Sequence, residues 1–110
     1  MKIQTKIRAP SKLSKEAQRW WRKIVDEYSI SDSGGLLILL NLLEAFDRMR
    51  SAQAILEDEG TVIVDRFNQR KAHPLCAVER DARSQVFSGL KMLSLDLEPL
   101  RDLGRPPGGN

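Results

Sequence analysis

The sequence predicts a mainly α fold of three helices, with a small β-hairpin between the second and the third. Three observations predict it. Apolar residues recur at helical spacing in 13–28 and again in 75–93. Between them, a stretch opening LLILLNLLEAF reads as one long helix ending at Gly60. A β-branched run, Thr61-Val62-Ile63-Val64, then breaks the helical pattern.

Residues 1–12 have no periodic pattern and contain Pro10, so they read as a flexible basic arm. A single helical domain is expected over 13–97, with a loose tail rich in proline and glycine at 98–110. The first helix begins near Ser14, whose hydroxyl suits an N-cap, and Glu16 suits the positive end of the helix dipole. Leu13, Ala17, Trp20, Trp21, Ile24, Val25 and Tyr28 form its apolar stripe. Lys15, Arg19 and Arg22 fall at i, i+4 and i+7 on another face.

Ser31, Asp32 and Ser33 are all good N-caps for the second helix, which runs from Asp32 or Gly35 to Glu59. Its first half is apolar nearly all round, so it must be covered on more than one side. A chain of 110 residues has few elements for that, and a second subunit is expected to supply part of the cover. The candidate oligomer interface is Leu36, Leu37, Leu39, Leu40, Leu43 and Phe46. The alternative is a central helix wrapped by the chain's own two other helices. Glu57, Asp58 and Glu59 sit where the dipole disfavours anions, as a solvated cap or as a contact for a basic surface.

A hairpin is expected at about 61–72, with a basic tip and return strand around Phe67. Pro74 then opens the third helix. Leu75, Val78, Ala82, Val86, Leu90 and Leu93 mark its core face to about Leu95, while Glu79, Arg80, Asp81 and Arg83 are expected in solvent.

Composition bounds the function classes. Hydrophobic residues at 41% and charged residues at 30% are ordinary for a globular protein. The longest apolar run, 36–40, falls far short of the roughly 20 residues that span a bilayer, so no membrane partner is expected. The N-terminus carries no apolar signal region, and the single cysteine, Cys76, fits a reducing cytoplasm.

The net charge of +3 is unevenly spread. Residues 1–23 hold eight cations, Lys2, Lys6, Arg8, Lys12, Lys15, Arg19, Arg22 and Lys23, against Glu16 alone. Residues 32–60 hold six carboxylates against two arginines, and 61–73 are basic again. A basic arm before an acidic body suits an anionic partner such as DNA, and equally a solubilising, unstructured tail. Those eight cations are the candidate DNA-binding residues.

Signs of an enzyme are nearly absent. His73 and Cys76 are the only histidine and cysteine, and two ligands do not make a metal site. Cys76 reads as a small buried hydrophobe. Neighbouring carboxylates on a helix point apart, and no phosphate-cradling G-x-x-x-x-G-K-[ST] loop occurs. No enzyme, cofactor or metal is expected. Trp20 and Trp21 are the residue type that stacks on bases, but their place on the apolar stripe reads as core.

The order of the pieces carries a resemblance. L-S-x-E-A-x-x-x-W from Leu13 to Trp21 comes first, followed by a long helix ending at Glu59-Gly60 and a valine-rich hairpin. His73-Pro74 then opens a helix, and Leu95-x-x-x-Pro99-x-Arg101 closes it. Over about residues 12–103 this resembles one family of phage terminase small subunits. The chain departs from that pattern at Arg66-Phe67-Asn68-Gln69, where relatives usually have a glycine, and at LDLEP, which is one residue longer. The resemblance implies a non-catalytic, ring-shaped homo-oligomer in the host cytoplasm. It would bind the packaging region of double-stranded phage DNA, and recruit and modulate a large subunit holding the ATPase and nuclease. The competing readings are a small transcriptional regulator, dimeric on a palindrome, and a protein-interaction adaptor that binds no DNA.

Overall fold

A computed structural model describes residues 7–93. It contains α1 (Lys15–Tyr28), α2 (Ser33–Glu59), β1 (Val62–Val64), β2 (Arg70–Ala72) and α3 (Leu75–Met92). The chain is thus mainly helical, with a two-stranded antiparallel hairpin between the second and third helices. The expected end of α3 near Leu95, the domain limit at 97 and the tail lie outside the described residues.

Local chemistry sets each boundary. The Ser14 Oγ accepts the Ala17 N–H at 3.0 Å, and the Asp32 Oδ2 accepts the Gly35 N–H at 2.8 Å, so α1 and α2 both start on side-chain caps. Ser29 ends α1 in the left-handed region at φ 51°, and the Ile30 N–H closes back on the Val25 carbonyl. That closure buries Ile30 beneath the start of α2, against Gly35. Gly60, at φ 86°, ends α2.

His73 starts α3. Its Nδ1 accepts the Leu75 N–H at 3.0 Å, which leaves the Nε2–H to donate to the Glu59 carboxylate at 2.8 Å. One buried ring therefore caps α3 and ties it to the last turn of α2. Glu59, out of place by the dipole argument, is matched within its own chain. His73→Ala is expected to lower stability by about 1–2 kcal/mol in urea denaturation. His73→Asn, which can still cap Leu75, should recover part of that. An unchanged midpoint for His73→Ala would show that the cap contributes nothing.

The core lies along α2. α3 packs on it extensively, and α1 packs on it more briefly. Leu13, Ala17, Trp21, Leu39, Leu42, Leu43, Ala45, Phe46, Met49, Ala52, Ala82 and Val86 form one buried cluster. Three of the expected interface residues also take part in this cluster. Leu39, Leu43 and Phe46 are buried within the single chain, because α1 and α3 both pack on that side of α2. Leu37 is 60% exposed, while Leu36 and Leu40 are half-buried.

Other expectations shift for the same kind of reason. Trp20, placed on the core stripe, is 43% exposed, because it lies about 100° around the helix from buried Trp21. Val78 is also exposed, and Cys76 is only half-buried. Ile7 and Ala9, in the stretch expected to be a flexible arm, pack against the core.

Glu79, expected in solvent, is only 9% exposed. It accepts from Gln53 at 2.9 Å and from Arg83 at 3.1 Å. The Gln53 bond and then the Arg83 guanidinium hold its carboxyl below the usual carboxylate range. A depressed folded-state pKa stabilises the fold above the ordinary carboxylate range, and that contribution is lost as the pH falls through the lowered value.

α3 approaches α2 closely at Gly89. A Cβ there would lie 2.6 Å from the Leu42 Cβ and 3.0 Å from its Cδ2. In an open helix, Gly→Ala gains about 1 kcal/mol, but overpacking against an atom fixed to the neighbouring backbone costs about 1–3 kcal/mol. Gly89→Ala should therefore lower the urea midpoint, and a raised midpoint would mean that α3 can move aside freely.

Candidate nucleic-acid interface

The basic surface is built on α1. Ala17 and Trp21 turn towards α2, which leaves Lys15, Arg19, Arg22 and Lys23 exposed on the opposite side. The helix is held in that orientation by polar contacts near its N-terminus. The Ser14 N–H and Oγ–H donate to the two Asp47 carboxylate oxygens at 2.9 and 2.5 Å. Arg50 forks onto Glu16 at 3.2 and 3.0 Å while its guanidinium lies 4.9 Å from the Phe46 ring. Glu16, the lone carboxylate of residues 1–23, is therefore drawn towards α2 and neutralised there.

Among the described residues, Lys15, Arg19, Arg22 and Lys23 have no carboxylate within 4.0 Å. Lys23 lies 5.9 Å from the exposed Trp20 ring. Lys12 is exposed too, but pairs with Glu44 at 2.6 Å, so its charge is partly cancelled. Arg8 joins the α1 surface directly: with Ile7 and Ala9 it borders one hollow of about 270 Å³ together with Arg22, Val25 and Asp26. Asp26 and Glu27 dilute the last turns of the stripe, so its positive charge runs from Lys15 to Lys23. Lys2 and Lys6 lie outside the described residues.

One feature has no signal in the sequence: an apolar groove of about 510 Å³ between α1 and α3, floored by Leu42, Leu43 and Phe46 and walled by Trp20, Tyr28 and Phe87. It lies where α1 and α3 each pack on α2. The hairpin, expected with a basic tip and return strand around Phe67, exposes Arg66, Phe67 and Arg70.

Comparison with protein-family models, curated proteins and solved structures yields no match. Among the described residues, no three His, Cys, Asp or Glu side chains are grouped to hold a metal ion. His73 has both ring nitrogens occupied by Glu59 and Leu75, while the Cys76 Sγ faces the Thr61 carbonyl at 3.7 Å. Among the described residues, no helix is long and apolar enough to cross a membrane.

Proposed function

We propose that this chain is a non-catalytic small terminase subunit that binds duplex phage DNA at the packaging site, oligomerises as a ring in the host cytoplasm, and recruits and modulates a large ATPase/nuclease subunit. The observation that carries the reading is the α1 surface: four exposed cations on the side away from the core, with the neighbouring Glu16 neutralised by Arg50. Such a surface suits phosphates, which it meets as point charges and forks without reading sequence. The order of motifs from Leu13 to Arg101 supports the family. Self-assembly is supported by exposed Leu37 and by the open apolar groove, since contiguous apolar surface is costly to leave wet. Assembly would array many such helices, so individually weak contacts sum.

Duplex binding titrated against salt tests this. Four phosphate contacts per subunit predict a slope of about −3.6 in log affinity per log salt. A flat dependence overturns the DNA reading. Light scattering on the same sample should give a mass of several subunits. A dimer would favour the regulator, and a monomer would remove the ring.

A further inference from the structure

We propose that the β1–β2 hairpin is a second DNA-contacting element, a two-stranded ribbon that enters the major groove led by Arg66, Phe67 and Arg70. The proposal rests on the DNA reading above and gives the protein a means of sequence discrimination that α1 lacks.

The hairpin makes no extended contact with any helix among the described residues, so packing does not account for its form. Two strands of three residues are marginal alone. Yet the tip is firmly built. The Asp65 Oδ1 accepts the Phe67 N–H at 2.8 Å and the Gln69 N–H at 2.9 Å. The Asn68 N–H closes on the Asp65 carbonyl at 2.9 Å, and the Asp65 N–H on the Gln69 carbonyl at 2.9 Å. Asn68 takes the left-handed position at φ 63°, and asparagine is among the few residues that tolerate it.

This ordered turn presents an apolar ring to water. Phe67 is 69% exposed, with the Arg66 guanidinium 5.2 Å from its centre. Val62, Val64 and Arg70 share one exposed face of the ribbon by alternation and register. Lys71 pairs with Asp65 at 3.6 Å, whereas among the described residues Arg66 and Arg70 have no carboxylate within 4.0 Å.

The dimensions and chemistry match a duplex groove. Strands about 4.8 Å apart, with their side chains, fit a major groove about 12 Å wide, which admits a two-stranded ribbon. Arginine forks onto guanine O6 and N7, and an apolar ring packs on the thymine methyl. Those contacts read base edges, whereas the α1 cations reach only phosphates.

The experiment is selection of bound sequences from a duplex library with a randomised centre, using the full chain. Four proteins are compared: the parent, Phe67→Ala, Arg66→Ala/Arg70→Ala, and Arg19→Ala/Arg22→Ala, each checked for an unchanged helical circular dichroism signal. The parent should enrich a motif. The hairpin variants should lose it, with the preference for the motif over random duplex falling about tenfold or more per lost pairing. They should retain residual binding. Neither hairpin variant should change the salt slope appreciably, because the slope counts phosphate contacts and not base contacts. The α1 variant should keep the motif and lose affinity. Hairpin variants that enrich the parental motif, or a parent that binds but enriches nothing, overturn the hairpin proposal while the α1 reading stands. A parent that binds no duplex overturns both.

Discussion

Replacing Lys15, Arg19 and Arg22 together with glutamate is expected to abolish duplex binding near physiological salt while leaving the fold intact. Each phosphate contact contributes about 0.9 to the salt slope, so three contribute about 2.7, or roughly fortyfold in affinity between about 50 and 200 mM salt. Reversal adds repulsion to that loss. All three residues are exposed on the side of α1 away from Ala17 and Trp21, where substitutions ordinarily shift stability by about 0.5 kcal/mol or less. At Lys15, the first residue of α1, glutamate even suits the helix dipole by a few tenths of a kcal/mol. Anisotropy titration beside a thermal melt separates the two effects. Unchanged DNA affinity with an unchanged melt would remove α1 as the contact surface.

The second large effect concerns α2, and it separates core from interface. Leu39 has 0% of its surface exposed within one chain, so Leu39→Ala should cost about 2.7–5 kcal/mol, the range for emptying a well-packed leucine site. Leu37, two residues away and 60% exposed, should behave in the opposite way. Leu37→Asp should leave the melting temperature of the chain nearly unchanged and lower the assembled mass. A mild effect of Leu39→Ala would place that side chain outside the core. An unchanged mass for Leu37→Asp would take the outer face of α2 out of any interface.

These two leucines also show where reading the sequence stops. The first half of α2 is apolar nearly all round, so its pattern has no phase: periodicity marks a helix without saying which side faces its neighbours. α1 has a phase, and Ala17 and Trp21 follow it. Trp20 and Trp21 are adjacent, however, and only the angle at which α1 meets α2 decides which ring is covered. The basic candidates fared differently among themselves. Spacing places Lys15, Arg19 and Arg22 on one face of α1, and all three are exposed, as is Lys23. The pairing of Lys12 with Glu44, 32 positions along, depends on how the chain enters α1.

The sequence by itself determined the elements of this protein: three helices, a hairpin in the stated place, and a basic face on the first helix. Caps at Ser14 and Asp32, breakers at Gly60 and Pro74, and the spacing of apolar residues act over one or two turns, so they are written where they work. Only the tertiary structure decided that Leu39, Leu43 and Phe46 are core, that Glu79 is buried against Gln53 and Arg83, and that His73 joins the end of α2 to the start of α3. It alone opened the groove between α1 and α3. Each of these depends on contacts between residues far apart in the chain, whose distances follow from helix crossings that local periodicity does not encode.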